Sequence, residues 1–373
     1  MKILYVITGA DIGGAQKHLL YLSQWFSRKG HTVHVIVGED GPLIKELNDQ
    51  NIGVTLIPIP RNIVLTKDIR ALWKVCRFIR QGKYNVVHSH SSKAGIIARI
   101  AGFLNRIEKN IFTAHGFVFT DPTLSKKKKA FYLFLEKVCS LLSTHIITVS
   151  NFDIQQGKEH GINEKKMVMI HNGIPDDSII SSDEWEKKQK RLRESNKRVI
   201  GFVGRFASEK NIDMLLRVAG IVKEQLQDKD VEFWLIGDGP LFDHYQNKVK
   251  VQDLESIVRL KGSHDNVLDW MDQMHAMVIT SHKEGLPFVL LEACGRGLPV
   301  ISTDVGGVKE VLDPKGKMKL IVPINDDNRM YNLLSTIITD HFYRETLGRY
   351  ILGLSNTHTV DQMCTETNKI YMA

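Results

Sequence analysis

Short apolar runs alternate with longer amphipathic segments along most of the chain. The runs are rich in Val and Ile and are apolar at successive positions, as in 3–7 and 276–279. Strands buried on both faces of a parallel sheet have this composition, and the intervening segments have the period of crossover helices. The pattern therefore predicts an α/β protein with two doubly wound, Rossmann-like parallel sheets in tandem.

The sequence predicts seven strands in the first half of the chain and six in the second. They lie near 2–7, 32–38, 53–59, 85–90, 110–116, 145–150 and 167–172, then near 199–204, 231–237, 256–262, 276–281, 299–303 and 320–323. The segment between the two sets, 176–198, is crowded with charged residues and poor in apolar ones, which predicts a domain boundary there. The first domain is then 1–176 and the second 177–355.

The composition is that of an ordinary folded protein long enough for two domains. Of 373 residues, 43% are hydrophobic and 25% are charged, which favours two separate cores over disorder. The four cysteines lie far apart and form no C-x-x-C pair. Neither a zinc site nor a disulfide framework is therefore predicted, and a reducing cytoplasm is the expected location.

Neither a signal peptide nor a membrane-spanning helix is predicted. The first apolar run is followed within a few residues by Asp11, which is too soon for a signal sequence. The best candidate for a span, 130–142, is interrupted by Glu136 and Lys137, whereas a span needs about 20 apolar residues. We expect a protein that does not cross a membrane.

The net charge of +8 is unevenly distributed. Residues 1–175 hold 24 Lys and Arg against 12 Asp and Glu, and the remainder holds 26 against 30. A basic half fits a nucleic acid, an anionic membrane or an anionic acceptor. No zinc finger, basic helix or RNP-like aromatic strand accompanies the charge, so we predict no nucleic-acid binding.

The loop after the first strand contains Gly13-Gly14 and opens a helix. Loops that follow strands matter because ligands of open parallel sheets bind beyond the carboxyl ends of the strands. Two adjacent glycines let the backbone approach a ligand, and free N–H groups at a helix start attract phosphate. A tight turn without a ligand would use the same residues, so this loop is a candidate phosphate site and no more.

The loop after the strand at 199–204 carries two cations, Arg205 and Lys210. Arg offers a planar fork and Lys a point charge, so two cations above a strand end can hold a diphosphate. Their place at the carboxyl end of a strand favours this function over ordinary surface charge.

The loop after the strand at 276–281 is the most informative. It contains Glu284 and Gly285-Leu286-Pro287, and it leads into a helix that contains Glu292. Pro suits the first turn of a helix, so Glu284 lies in the loop and Glu292 lies on the helix. The helix N-terminus offers amides to phosphate, and Glu292 can accept hydrogen bonds from vicinal hydroxyls. The layout fits a sugar diphosphonucleoside; a surface Glu beside a capping Glu is the alternative.

Histidines also cluster near strand ends in the first half, namely His88, His90, His115 and His171. A metal site would need accompanying carboxylates or thiolates at ligand spacing, and none is present, so no metal is predicted. His115, which is followed by Gly116 at the end of a strand, is a candidate active-site residue. A purely structural histidine is the alternative.

Four adjacent lysines, Lys126, Lys127, Lys128 and Lys129, lead into the apolar run 130–135. Lysines at a helix N-terminus oppose the helix dipole, so an external anionic partner would stabilise them. Each lysine near an anionic membrane contributes about 1 kcal/mol to binding. We expect this run to dock the first domain on an anionic membrane; a merely solvated helix start is the alternative.

These motifs together resemble glycosyltransferase family 4, the retaining GT-B enzymes of bacterial capsule, exopolysaccharide and lipopolysaccharide biosynthesis. The matching pieces run through nearly the whole chain: Gly13-Gly14, Ala114-His115-Gly116, Val149-Ser150, Asn172-Gly173-Ile174, Val203-Gly204-Arg205 with Lys210, Gly237-Asp238-Gly239-Pro240, the E-x7-E pair Glu284 and Glu292, Ala293 to Pro299, and Gly306-Gly307 with Glu310. The chain departs from the family at Thr280-Ser281, where many members have Pro-Ser. The resemblance implies two domains facing across a cleft and a last helix, about 356–373, that crosses back to the first domain.

The resemblance also implies a function for each motif. The donor would be a nucleotide sugar, most simply a UDP-sugar, with Arg205 and Lys210 at its diphosphate, Glu292 at its ribose and Glu284 at its sugar. Gly14 would contact the phosphate from the opposite domain, Gly285, Leu286 and Pro287 would line the donor site, and His115 would lie near the transferred sugar.

The implied reaction is retaining transfer, without a metal or another cofactor, to a glycan or lipid-linked acceptor. The implied location is peripheral, at the inner face of the cell membrane. Two alternatives share the fold: a sugar-nucleotide epimerase, which needs no acceptor, and a non-catalytic subunit that binds a sugar nucleotide without turnover.

Overall fold

The computed structural model describes residues 1–62, 64–226 and 230–373. Contacts divide the chain into two units, Met1–Gly173 with Val360–Ala373, and Ile174–Thr359. The chain passes to the second unit after Gly173, a few residues before the predicted boundary at 176/177. It returns to the first unit at Val360, a few residues after the predicted return at about 356. Both units are parallel sheets covered by helices, as the continuous apolar runs predicted.

The first unit contains a seven-stranded parallel sheet in the order β3-β2-β1-β4-β5-β6-β7. Its strands are β1 (Lys2–Ile7), β2 (Thr32–Val37), β3 (Gly53–Leu56), β4 (Val86–His90), β5 (Lys109–Ala114), β6 (His145–Thr148) and β7 (Met167–Met169). Its first six helices are α1 (Gly14–Arg28), α2 (Pro42–Asp49), α3 (Leu65–Gly82), α4 (Ser92–Leu104), α5 (Lys126–Leu142) and α6 (Asn151–Glu159).

The second unit contains a six-stranded parallel sheet in the order β10-β9-β8-β11-β12-β13. Its strands are β8 (Lys197–Val203), β9 (Asp230–Ile236), β10 (Val258–Gly262), β11 (Ala276–Ile279), β12 (Val300–Thr303) and β13 (Ile321–Val322). Its helices are α7 (Ser182–Glu194), α8 (Ile212–Gln225), α9 (Phe242–Val251), α10 (Val267–Met271), α11 (Phe288–Gly295), α12 (Val308–Leu312), α13 (Asp327–Thr339) and α14 (His341–Ser355).

Strand β1 shows why its residues are apolar at successive positions. Ile3, Tyr5 and Ile7 pack into the core on the α1 side of the sheet. Leu4 and Val6 pack into a separate core on the side of α3 and α4. Because alternate residues of a strand point to opposite faces, a strand covered on both faces must be apolar throughout.

The charged segment 176–198 is not a linker, although the sequence marked it as a boundary. Helix α7 lies within it and belongs to the second unit, and a capping box of Ser181 and Glu184 begins the helix. Trp185 is buried beside Gly297, and Lys188 donates to the carbonyl of Arg296 at 2.8 Å. The apolar spacing that marks a helix is weak here, because one of the residues on the buried face is Lys188.

The last helix, α15 (Val360–Met372), packs on α1 of the first unit. Trp25 donates from its indole N–H to Asp361 at 2.8 Å, and the rings of Phe26 and Tyr371 stack with centroids 4.8 Å apart. Within the described residues, none of the helices combines the length and the hydropathy that a membrane span needs.

Candidate functional site

The loops at the carboxyl edge of the second sheet lie against one another through glycines. Gly237 has φ +134°, and a Cβ there would lie 2.0 Å from the carbonyl oxygen of Gly204. Gly306 has φ +51°, and a Cβ there would lie 2.3 Å from the carbonyl oxygen of Glu284. Only glycine permits both the backbone angle and the approach, so the loop after β9 packs on that after β8, and the loop after β12 packs on that after β11. His282 donates its amide to the carbonyl of Glu209 at 2.7 Å, which joins the two pairs of loops into one surface.

Two of the predicted site residues meet in this surface. The ammonium of Lys210, which follows β8, lies 2.6 Å from Oε1 of Glu284, which follows β11. Ser281 donates its hydroxyl to the same carboxylate oxygen at 2.6 Å. The side chains of Lys210 and Glu284 are 19% and 11% exposed, so the pair is shielded but accessible from one side. A ligand anion that attracts Lys210 would release Glu284 to accept hydrogen bonds from hydroxyls.

The remaining residues of the E-x7-E motif lie around the start of α11. Pro287 caps the helix in extended conformation, so it stands one residue before the helix. Glu292 lies on α11, as predicted, and is buried. Leu286 is also buried, so its side chain is not open to a ligand in this structure. Gly307 donates its amide to the carbonyl of Gly285 at 2.6 Å, which fixes the loop in front of α11.

Arg205 is exposed at the same edge, and it forms no ion pair within the part of the chain that the structure describes. The loop behind it is anchored by Phe206, which donates its amide to the carbonyl of Asp238 at 2.9 Å. A free guanidinium on an anchored loop suits a bidentate anion.

In the first unit, Gly13 and Gly14 lie where the sequence predicted, at the start of α1. Gly13 is the N-cap in extended conformation, and no side chain caps the helix. The side chain of Gln16 turns back instead and donates to the carbonyl of Gly9 at 3.1 Å. The first backbone amides of this 15-residue helix therefore have no side-chain cap among the described residues, and they can donate hydrogen bonds to an anion.

His115 belongs to a packed group of four histidines, the histidine cluster, formed by His18, His88, His90 and His115. The Nδ1 atom of His90 and the Nε2 atom of His115 are 3.2 Å apart, and the rings of His18 and His115 meet edge to face at 4.9 Å. Burial is the largest cause of a lowered pKa in each: the pKa of His18 falls to about 4, and those of the other three fall well below the usual value. All four are neutral at pH 7, so His115 can exchange hydrogen bonds with neutral hydroxyls.

Groups distant in sequence hold the histidine cluster in place. The hydroxyl of Tyr371 on α15 and that of Thr113 each lie 2.6 Å from a ring nitrogen of His88. His18 lies 2.8 Å from the side-chain oxygen of Asn172. Within the described residues, no group of three or more His, Cys, Asp or Glu is arranged to hold a metal ion.

A cavity of about 230 Å³ opens beside His115. Its walls are mostly apolar and aromatic, and they include Phe117, Phe119 and Tyr132. Glu136 also lines the cavity, but Arg99 neutralises its carboxylate through two hydrogen bonds of 2.6 and 3.0 Å. The cavity therefore presents a neutral, partly aromatic wall next to a neutral imidazole, which suits a sugar face or an apolar chain.

The four lysines 126–129 form the first turn of α5, where Ser125 is the N-cap. Lys126, Lys127 and Lys128 are exposed and Lys129 is partly buried. The aromatic run behind them is not simply core, because Phe131 and Phe134 are 45% and 62% exposed. The lysine run thus continues into an exposed apolar stripe on the same helix.

Several groups that position the candidate residues are not recognisable from the sequence. Ser281 and Thr280 were noted only as departures from the family, yet Thr280 donates its hydroxyl to the carbonyl of Lys210 at 2.9 Å. A proline at that position would have no such donor. His18 and Tyr371 carried no local signal, since each acts through residues more than a hundred positions away.

Two family models match the chain. The model described as Glycosyltransferase Family 4 matches residues 12–178, and that described as Glycosyl transferases group 1 matches residues 197–340. The chain is 28% identical to UDP-Gal:alpha-D-GlcNAc-diphosphoundecaprenol alpha-1,3-galactosyltransferase of Escherichia coli, over 91% of this chain and 88% of that one. It is 27% identical to the capsular polysaccharide biosynthesis glycosyltransferase CapM of Staphylococcus aureus, over 87% and 85%.

Solved structures share the fold over the whole chain. HepE of Anabaena, in complex with UDP and glucose, superposes with a TM-score of 0.84 at 19% identity and covers 100% of both chains. WaaG, a glycosyltransferase involved in lipopolysaccharide biosynthesis, superposes with a TM-score of 0.76 at 13% identity, again over 100% of both chains. The predicted fold class is therefore confirmed.

Proposed function

Because the chain belongs to glycosyltransferase family 4, we propose that it transfers a sugar from a UDP-sugar to a lipid-linked or glycan acceptor in the synthesis of a cell-surface polysaccharide. The observation that carries the proposal is the pair of Lys210 and Glu284 at the carboxyl edge of the second sheet. The relatives named above support the pathway, since two of them act in capsule or lipid-linked oligosaccharide synthesis by name.

The donor diphosphate binds to Arg205 and Lys210 in this proposal, with help from the amides at the start of α11. When Lys210 turns to the diphosphate, Glu284 keeps its hydrogen bond from Ser281 but loses its ion-pair partner, and it accepts hydrogen bonds from hydroxyls of the donor sugar. Glu292, buried on α11, accepts from the ribose hydroxyls. The cations meet the anionic diphosphate, and the carboxylates meet hydroxyl donors. Hydrogen bonds that involve a charged group in this way are stronger than neutral ones.

The leaving UDP develops negative charge as the glycosidic bond breaks. Fixed cations and helix N-termini stabilise that charge without a divalent ion. The sugar becomes oxocarbenium-like, the acceptor hydroxyl attacks from the side that UDP leaves, and the leaving phosphate accepts the acceptor's proton, so the anomeric configuration is retained. On the first unit, neutral His115 is suited to exchange hydrogen bonds with sugar hydroxyls, and the free amides at Gly14 are suited to an anion.

No metal is needed in this scheme. Asp230, the last residue of an Asp-x-Asp triplet at 228–230, opens β9 and so lies at the amino edge of the sheet, whereas the proposed donor residues lie at the carboxyl edge. The enzyme acts at the inner face of the cell membrane, where Lys126, Lys127, Lys128 and Lys129 draw the first unit to anionic lipids.

The test is a transfer assay with the purified protein, a panel of nucleotide sugars and a membrane lipid extract, read by product mass. We expect UDP and a glycosylated lipid as products, at the same rate with and without EDTA. Strict loss of turnover in EDTA that manganese or magnesium restores would overturn the metal-free mechanism. Conversion of the donor without acceptor would indicate an epimerase, and UDP-sugar binding without any turnover would indicate a non-catalytic subunit.

A further inference from the structure

One nitrogen of the His115 ring is already engaged inside the protein. His90 is the last residue of β4, the strand beside β5, and its Nδ1 atom lies 3.2 Å from Nε2 of His115. An imidazole has two nitrogens, so Nδ1 is the one that His115 has left for a ligand. A sugar beside His115 can therefore form a hydrogen bond only with Nδ1, unless it displaces His90.

The hydrogen bond between His90 and His115 needs one donor and one acceptor. Burial lowers the pKa of both residues well below the usual value, and the nearby His18 and His88 lower each pKa further. Both rings are therefore neutral at pH 7, and each carries a single N–H. Either His90 donates from Nδ1 and His115 carries its own proton on Nδ1, or His115 donates from Nε2 and its Nδ1 is a bare acceptor.

The surroundings of His90 favour the first of these arrangements. The other nitrogen of His90, Nε2, is buried and has no hydrogen-bond partner among the described residues. Buried N–H groups without an acceptor are rarer in proteins than buried acceptor atoms without a donor. The proton of His90 therefore belongs on Nδ1, where Nε2 of His115 accepts it, and Nε2 of His90 is a bare lone pair.

His18 has the same arrangement with a partner that leaves one choice only. Its Nδ1 atom lies 2.8 Å from the side-chain oxygen of Asn172, and an amide oxygen can only accept, so Nδ1 carries the proton. The Nε2 atom of His18 is buried without a hydrogen-bond partner in the described part of the chain, and it is then a bare lone pair. The core around the histidine cluster thus tolerates an unpaired acceptor nitrogen, as the assignment for His90 requires.

The ring of His115 is also held against rotation. The rings of His18 and His115 meet edge to face with centroids 4.9 Å apart, and the ring of His90 stacks on that of His115 at 5.5 Å. Turning the His115 ring by half a revolution would bring a carbon to the place of Nε2. The N–H of His90 would then be buried without an acceptor, which is costly.

We propose that His90 is a positioning residue, which donates from Nδ1 to Nε2 of His115 and so fixes His115 as the tautomer with its proton on Nδ1. His115 then donates a hydrogen bond to an oxygen of the transferred sugar and does not accept one. Such a donor suits a hydroxyl, ether or carbonyl oxygen and disfavours an ammonium group. The proposal rests on the proposed function, for which it specifies the direction of one contact with the sugar.

The tautomer is measured on the full-length protein without ligand, by two-bond ¹⁵N–¹H correlation spectra after ¹⁵N labelling of histidine. We expect the pattern of the Nδ1–H form for His115, whose resonances are assigned by their absence in His115→Gln. In His90→Leu the donor is lost, and His115 should shift towards the Nε2–H form that free histidine prefers. His90→Asn should keep the Nδ1–H form, because its side-chain amide places an N–H where Nδ1 of His90 stood.

Steady-state kinetics test whether this positioning matters for turnover. His90→Leu should lower kcat about tenfold, the size of one lost hydrogen bond, with little change in the affinity for UDP. His90→Asn should restore kcat to within about threefold of the unmodified protein. The matched control is His34→Leu, which removes a histidine 2.8 Å from the hydroxyl of Thr55 and packed on Phe78 of α3. This control should change neither the tautomer of His115 nor kcat.

Three results would overturn the proposal. The first is an Nε2–H form of His115 in the unmodified protein, and the second is an unchanged tautomer in His90→Leu. The third is an equal loss of kcat in His90→Leu and His90→Asn, both shown to be folded by urea unfolding, since a merely structural role would not distinguish them. Because the tautomer is measured without donor or turnover, a protein with the Nδ1–H form that transfers no sugar would lose the proposed function and keep the positioning by His90.

Discussion

The polar groups described at the carboxyl edge of the second sheet include a partly accessible charged pair, whereas the histidine cluster of the first unit is buried and neutral. In the second, Lys210 and Ser281 both bind Glu284. In the first, the histidine cluster is packed ring against ring, and burial lowers the pKa of its members. A charged pair can open for a charged ligand, while neutral imidazoles can only orient neutral hydroxyls. The difference fits a donor on the second unit and an acceptor on the first.

The largest expected effect separates the two glutamates of the second unit. Glu284→Gln should lower kcat about a hundredfold while leaving UDP affinity nearly unchanged, because in the proposed mechanism Glu284 contacts the reacting sugar and not the nucleotide. Glu292→Gln should weaken the binding of UDP by about 1–3 kcal/mol, because a charged hydrogen bond is lost. Calorimetry with UDP and steady-state kinetics measure the two effects. Equal loss of UDP affinity in both variants would contradict the division of labour.

The glycine contacts of the second unit give the next largest effect. Gly237→Ala would place a Cβ 2.0 Å from a backbone oxygen at φ +134°, so we expect a loss of about 3 kcal/mol in the free energy of unfolding. The matched control is Gly220→Ala in α8, where a Cβ would meet nothing within 4 Å. That variant should gain about 0.5–1 kcal/mol, since Ala favours helix. Urea unfolding of both variants checks the contrast, and equal stability would argue against the close approach.

Acid should destabilise the first unit more than the second. A histidine whose folded pKa is lowered leaves stability unaffected above its unfolded pKa of about 6.5, and stability falls as the pH drops from there towards the folded pKa. Because the folded pKa of His18 is about 4, this residue alone should lower the free energy of unfolding by about 2 kcal/mol as the pH falls from 6.5 to 5. All four members of the histidine cluster in the first unit have a lowered pKa, whereas in the second unit the pKa of His275 is lowered to about 3.

Hydrogen exchange at pH 7 and pH 5, corrected for the intrinsic rate, distinguishes the units by peptide. We expect β1, β4 and β5 to lose protection first at the lower pH. If β8 and β11 lost protection before β1, β4 and β5, the second unit would be the more acid-sensitive one and the expectation would be wrong. The variant His18→Gln should reduce the difference between the two pH values, because glutamine does not titrate.

The smallest expected effect concerns the start of α5. Lys127→Glu should stabilise the first unit by about 0.5 kcal/mol, since an acid near a helix N-terminus favours the dipole and a lysine opposes it. The same change should weaken binding to phosphatidylglycerol vesicles. Thermal unfolding of this variant measures its stability, and sedimentation with the vesicles measures its membrane binding. A loss of both stability and vesicle binding would mean that Lys127 has a structural role instead.

The fold and the second-unit site were largely predictable because their signals are local. Both sheets could be predicted from apolar runs, and the loop position of Glu284 and the helical position of Glu292 follow from Pro287. The predicted strands ran too far at their carboxyl ends, as at 53–59, because Ile57 and Ile59 remain buried in the loop after β3. An apolar run reports burial and not hydrogen bonding, so it cannot mark where a strand ends.

The first-unit sites were less predictable because they are assembled from distant segments. The residues near His88 give no indication of its hydrogen-bond partner Tyr371. Leu65, Ile69 and Trp73 on α3 have the spacing of a buried helix face, so their exposure could not be inferred from spacing alone.

The crossing of α15 back to the first unit has a consequence for biosynthesis. Ribosomes make proteins from the N-terminus, and domains usually fold as they emerge. Here Phe26 and His88 gain their partner Tyr371 only after the second unit has been translated. The nascent first unit must therefore remain unfinished, with an apolar flank uncovered, while the whole second unit is synthesised. A chain that stalls before Val360 would be left with that flank exposed, and we expect chaperones and proteases to recognise it there.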